Sequence, residues 1–171
     1  YSVLVTVGST ALIARFVGAG DFKSASKVVH QSLLLAFLFG LLASILAITF
    51  VPFILSLIGL QGVAAQEAYG FLFNIFILLP FQMMEAAGIA CMVGAGNTLT
   101  GLMVLGFVTV LNIPLSFVLA TGFLGIVQLG FPGIALGTSI SHASGSLLVM
   151  FLLLRGTSSL QWDWKERCIR W

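Results

Sequence analysis

Glu85 is the residue of this sequence with the strongest claim to chemistry. Between Lys27 and Arg155 the only charged residues are Glu67 and Glu85, and Glu85 lies nine residues before the glycine cluster Gly94-Ala95-Gly96. On a helix rising ~1.5 Å per residue, that spacing places it roughly 13 Å deep, near the middle of a ~30 Å hydrocarbon layer. An ionisable group at that depth is unfavourable by on the order of 3 kcal/mol, so it faces a protein interior or a wet cavity. Glu67 can sit at a water-facing helix end. By the 3.6-residue period, Asn74, Leu78, Phe81, Gln82, Gly88 and Met92 share a stripe with Glu85. Amides, an aromatic, a glycine and a thioether suit a cavity wall better than a lipid face. A carboxylate in such a wall can bind a proton or a cation, and the amides of Gln82 and Asn74 could hold either state.

Two other polar sets could join it. His142, one turn from Thr138, reads either as a histidine bonded across a helix interface or as a proton-accepting partner for Glu85. Thr109, Asn112 and Ser116 fall on one helical face, with Pro114 freeing the carbonyl of Val110. Their oxygens can coordinate a small cation or a polar group of a substrate, and can equally well bond to neighbouring helices. Gly133, Gly137, Ser141 and Gly145 recur every four residues, a seam that lets another helix backbone approach closely. No GxSxG, HExxH, P-loop or dinucleotide fingerprint occurs, so the sequence reads as a non-enzyme without a metal centre.

The elements that must position these groups are membrane helices. Hydrophobic residues make up 60% of the chain and charged residues 7%, against roughly 25% charged in soluble domains; mean hydropathy is +1.17. The net charge of +2 argues against a nucleic-acid partner. Membrane lipid is the partner that composition demands. Two cysteines, Cys91 and Cys168, make no disulfide framework. Five apolar segments follow: Tyr1 to about Val17, Ser24 to Ile58 with Pro52 near its end, a single helix from Gln66 to Gly94 kinked at Pro80, Thr98 to Thr121, and Pro132 to Leu154. Strict two-residue alternation is absent, which argues against a membrane barrel. Opening at Tyr1 inside an apolar run, the chain reads as a fragment of a longer protein.

The expected fold is therefore all-α, a polytopic transmembrane bundle of five helices over residues 1–156, with a cytoplasmic interfacial linker at 157–171. Arg15, Lys23 and Lys27 flank the first connection, and Arg155, Lys165, Arg167 and Arg170 follow the last helix. Four crossings separate the two groups, so both lie on one side. The positive-inside rule makes that side cytoplasmic in a multi-pass protein of the cell's inner membrane. Leu160, Trp162, Trp164 and Trp171 alternate with polar residues in the tail, as an interfacial anchor would.

The run Gly8-Ser9-Thr10-Ala11-Leu12-Ile13-Ala14-Arg15-Phe16-Val17-Gly18-Ala19-Gly20-Asp21 resembles the signature of the multidrug and toxic compound extrusion (MATE) transporters. Gly94-Ala95-Gly96-Asn97-Thr98, Leu111-Asn112-Ile113 and Gly133-Ile134-Ala135-Leu136-Gly137-Thr138 are similar to further motifs of that family, in the same order. The resemblance implies helices two to six of the first of two six-helix lobes. It implies a secondary antiporter that exports cationic amphipathic compounds against H⁺ or Na⁺, with no other cofactor. The partners it implies are the first helix and the second lobe of the same protein. Ser116 stands four residues after Asn112, where some members carry the ion-coupling aspartate, and Asn97 stands where aspartate is common. The alternatives are a lipid-linked-precursor flippase of the same superfamily, or an inactive truncated membrane protein. A flippase would be expected to line its cavity with cations, and none occurs between Lys27 and Arg155.

Overall fold

The computed structural model describes residues 2–123 and 128–155, apart from the side chains of Ser2 and Leu4; the expected linker at 157–171 lies outside them. Six helices make up the described chain: α1 (Ser2–Gly18), α2 (Phe22–Leu57), α3 (Gly62–Ile77), α4 (Leu79–Gly94), α5 (Thr98–Thr121) and α6 (Phe131–Arg155). No strand occurs among the described residues. By length and composition, α2, α5 and α6 can each cross a membrane, and α3 with α4 can cross as one broken span; α1 is a shorter apolar helix. The five apolar segments are all present, and the bundle is all-α as expected.

The single helix expected over Gln66–Gly94 needs correcting. It starts at Gly62 and breaks at Leu78, where α3 and α4 meet at 47°. The cause is Pro80, whose ring clashes with the carbonyl four residues back and whose missing N–H leaves that carbonyl, Phe76, without its helical donor. The freed oxygen accepts a hydrogen bond from the Ser44 hydroxyl of α2 at 2.6 Å. Gly40, one turn earlier on α2, lies against the break so closely that a Cβ there would come within 2.6 Å of Pro80 Cα. The kink is thus a packed joint, with α2 both filling it and satisfying it.

The same local logic repeats at the helix ends. After α1, the Gly20 N–H bonds to the Val17 carbonyl and the Asp21 N–H to the Phe16 carbonyl, with Gly20 at φ 74°. After α4, Gly96 bonds to Val93 and Asn97 to Met92, with Gly96 at φ 82°. Both are left-handed glycine caps that satisfy the last carbonyls of one helix. The next residue then caps the following helix: Asp21 Oδ1 accepts from the Ser24 N–H at 3.0 Å, and Asn97 Oδ1 from the Thr100 N–H at 3.2 Å. The Ser24 hydrogen bonds hold the Asp21 carboxyl below the usual aspartate range. This is the physical content of the two Gly-Ala-Gly-Asx motifs: an αL stop and an immediate restart.

The core gathers around α4, the one helix packed against each of the other five. Ala87, Cys91 and Met92 of α4 meet Ile13 of α1, Leu33 of α2 and Val149 of α6. Small residues set the spacing. Gly94 faces the Thr10 backbone of α1, and Gly88 faces Val149, each too closely for a side chain. By contrast, α3 has no fully buried residue. Glu85 therefore sits on the most enclosed helix of the bundle.

Candidate functional site

Glu85 is 3% exposed and His142, across on α6, is 26% exposed. His142 Nδ1 stands 2.7 Å from Glu85 Oε2. The other carboxylate oxygen, Oε1, is buried and has no hydrogen-bond partner. Leaving a buried acceptor unpaired is unfavourable by about 1–3 kcal/mol, more for a charged one.

Gly145 makes room for the carboxylate. A Cβ on it would lie 3.0 Å from Glu85 Cδ, 3.1 Å from Oε1 and 2.4 Å from Val108 Cγ2 of α5. Gly145 is thus the point where α4, α5 and α6 converge, and it lies three residues from His142, on the same helical face. From the sequence this glycine reads as packing alone. The spacing to His142 was the available signal for a second role, but it has meaning only once α6 is known to cross α4 at Glu85.

The rest of the seam fits α6 onto α5. A Cβ on Gly133 would meet the Leu119 carbonyl oxygen at 2.5 Å, and one on Gly137 would meet Ser116 Cα at 2.6 Å. Ser141 is fully buried and donates to the Gly137 carbonyl at 2.8 Å. Ser116 Oγ lies 3.3 Å from both Asn112 Oδ1 and the Ile134 carbonyl oxygen, which share its single proton. Asn112 and Ser116 therefore lie together at the α5–α6 seam, and neither bonds to Glu85. Thr109 turns back to the Leu105 carbonyl of its own helix.

The amides expected near Glu85 do not bond to it. Asn74 Nδ2 donates to the Pro132 carbonyl at 3.0 Å, and its own carbonyl accepts from Ser139 Oγ at 2.7 Å. It ties α3 to the start of α6, because the break at Leu78 carries it off the stripe that a continuous helix would have formed. Gln82 is half-buried and makes no hydrogen bond to the carboxylate. Ser146, next to Gly145, is the other residue with a buried, unpartnered oxygen among the described residues. No group of three or more His, Cys, Asp or Glu able to hold a metal occurs among the described residues.

A second polar contact joins α1 and α2, where the Ser9 and Ser32 hydroxyls share a hydrogen bond at 2.7 Å and Ser9 Oγ also lies 2.6 Å from the Val5 carbonyl oxygen. It lies along an open groove of about 380 Å³ lined by Val5, Leu12, Leu35 and Phe39.

Comparison with known proteins places this arrangement. The MatE family profile matches residues 1–118, a range that takes in both Gly-Ala-Gly-Asx connections and Leu111-Asn112-Ile113. The chain is 29% identical over 163 residues to the probable multidrug resistance protein YoeA of Bacillus subtilis, covering 95% of this chain and 35% of that protein. It is 27% identical over 154 residues to the probable multidrug resistance protein NorM of Thermotoga maritima, covering 90% and 33%. The chain thus spans about a third of the length of the curated relatives it matches. In fold it is similar to the inward-facing conformation of a multidrug resistance MATE family transporter of the MOP superfamily, with a TM-score of 0.88 at 20% identity over 99% of this chain and 38% of that one. With its motifs, its apolar helices and more than half its length matched, the chain belongs to the MatE family of multidrug and toxic compound extrusion transporters, which are integral membrane proteins.

Proposed function

We propose that this chain supplies part of a secondary efflux antiporter that exports cationic amphipathic compounds in exchange for H⁺ or Na⁺, and that it does no enzymatic chemistry. The observation that carries this reading is Glu85. Its carboxylate is enclosed in a membrane bundle, with one oxygen on His142 and the other unpaired. A negative site of that kind favours a cation, and an ion that occupies it in the absence of substrate must leave when substrate arrives. Reciprocal exclusion between two ligands is the thermodynamic minimum for exchange. The names of the similar bacterial proteins, which refer to multidrug resistance, point to the same class of cargo.

In this reading the basic connections face the cytoplasm of a multi-pass inner-membrane protein. Residues 18–23 and 94–98 lie on that side, and 59–66 and 122–131 on the other. Lipid covers the exposed apolar faces, such as Leu38, Leu42 and Phe53 of α2. A preceding helix and a second lobe complete the cavity. Asn112, Ser116 and Gln82 contribute polar groups to it, and Asn74 and the α6 seam hold the helices in register.

The test is export by the gene product in a drug-hypersensitive bacterial host. Cells expressing the wild type should keep ethidium low, and Glu85→Gln should lose at least about tenfold of that resistance while inserting normally. Normal export by Glu85→Gln between pH 6 and 8 would remove Glu85 from the mechanism.

A further inference from the structure

The two oxygens of Glu85 meet different fates, and so do the two nitrogens of His142. Oε2 is held at 2.7 Å by His142 Nδ1, and Oε1 is enclosed behind Gly145. Nε2 of His142 has no hydrogen-bond partner among the described residues. With the carboxylate 3% exposed and the imidazole 26% exposed, the carboxylate communicates with the surroundings through the ring. We propose that Glu85 and His142 form a one-proton site, loaded and unloaded through His142 Nε2, and that the proton is the coupling ion. This rests on the efflux reading and narrows it.

The proton count is simple. With Nδ1–H donating to the carboxylate and Nε2 bare, the pair carries one negative charge. A proton arriving on Nε2 brings the pair to zero, whether it then resides as imidazolium beside carboxylate or as imidazole beside carboxylic acid. A monovalent organic cation near the pair is favoured by the negative state and not by the neutral one. From the loaded, neutral state one proton therefore leaves for each such cation that binds, with no other reactant required.

The surroundings favour a proton over a metal cation. Hard cations take several oxygen ligands at once. Among the described residues Glu85 Oε1 and Ser146 Oγ are the buried side-chain oxygens without a partner, and Oε2 is already on a nitrogen. No group of three or more His, Cys, Asp or Glu able to hold a metal occurs among the described residues. The titratable and charged groups on the elements around α4 are Arg15 on α1, Lys23, Lys27 and His30 on α2, Glu67 and Tyr69 on α3, and Arg155 on α6, with Cys91 on α4 itself; α5 has none. None of them bonds to Glu85 or His142, so each of the two is the other's only titratable bonding partner among the described residues.

The experiment reconstitutes the gene product in liposomes and loads it with a fluorescent organic cation under a pH gradient or a Na⁺ gradient. A pH gradient alone should drive the dye, and a Na⁺ gradient at fixed pH should not. His142→Gln should slow pH-driven exchange at least about tenfold while dye binding at equilibrium persists. Independently, the ¹⁵N NMR signal of His142 Nδ1 should change in Glu85→Gln, which removes the carboxylate it faces. Dye movement driven by Na⁺ at fixed pH would overturn the proton site and leave the efflux reading intact. An intact NMR coupling with no dye movement under either gradient would do the reverse. Wild-type pH-driven rates in His142→Gln would overturn the route through the ring, and if that variant fails to insert, a His142 signal unmoved by Glu85→Gln would do so.

Discussion

Replacing Gly145 with alanine perturbs the site by a single methyl group. That methyl would lie 2.4 Å from Val108 Cγ2, far inside contact distance, and 3.0–3.1 Å from the Glu85 carboxylate. Valine is stiff at χ1, so Val108 cannot simply rotate away. Either α6 shifts off α5 or the carboxylate swings off His142. Overpacking of this kind is unfavourable by about 1–3 kcal/mol. The alanine also gains about 1 kcal/mol of helix propensity. Gly106→Ala on α5 isolates that gain, because nothing lies within 4 Å of the Cβ it would add. The propensity term is common to both variants, so Gly145→Ala should be less stable than Gly106→Ala by about 1–3 kcal/mol, the overpacking alone. Reversible unfolding of the gene product in mixed micelles reads the difference. Removing the obstacle with Val108→Ala in the same chain should recover most of the penalty, with a coupling of about 1–3 kcal/mol in a double-mutant cycle. Equal stability of Gly145→Ala and Gly106→Ala would refute the inference that α4, α5 and α6 meet without slack at this glycine.

Three further outcomes follow from the helix joints. Gly96→Ala, at φ 82°, forces alanine into the left-handed region and should destabilise by about 1–2 kcal/mol, readable in the same unfolding assay. Ser44→Ala removes the α2 donor to the Phe76 carbonyl and should lose about 1 kcal/mol, with hydrogen exchange rising locally at the α3–α4 joint. The folded-state affinity of Asp21 for protons is lowered by Ser24, so its contribution to the start of α2 is present above the unfolded aspartate range and is lost as pH falls through the lower folded value. The Ser24 amide shift should report that loss only under acid conditions, and should not do so in Asp21→Asn.

Much of the bundle was legible because membrane helices are written in composition and punctuation. The apolar runs gave the spans, and the two Gly-Ala-Gly-Asx motifs gave the stops and restarts that the backbone bonds display. Glu85 stood out because a lone carboxylate in such a run has few physical reasons to be there. What could not be read was which side chains meet. A periodic stripe assumes a continuous helix, and the 47° break at Leu78 sent Asn74 to Pro132 instead of Glu85. Pro80 signalled a kink, but its size depends on Ser44 and Gly40 of α2, residues some forty positions away that receive the freed carbonyl and the ring. Likewise the four-residue seam on α6 showed that a helix would come close without showing that Gly145 would face a carboxylate as well as Val108.

A proton and an organic cation should exclude each other at Glu85 and His142. The most direct measurement is proton release when tetraphenylphosphonium binds the purified gene product in lightly buffered detergent solution near pH 7. Binding should release protons, up to one per cation bound, and the release should disappear in Glu85→Gln. Cation binding that releases no proton and keeps the same affinity from pH 6 to pH 8 would contradict it.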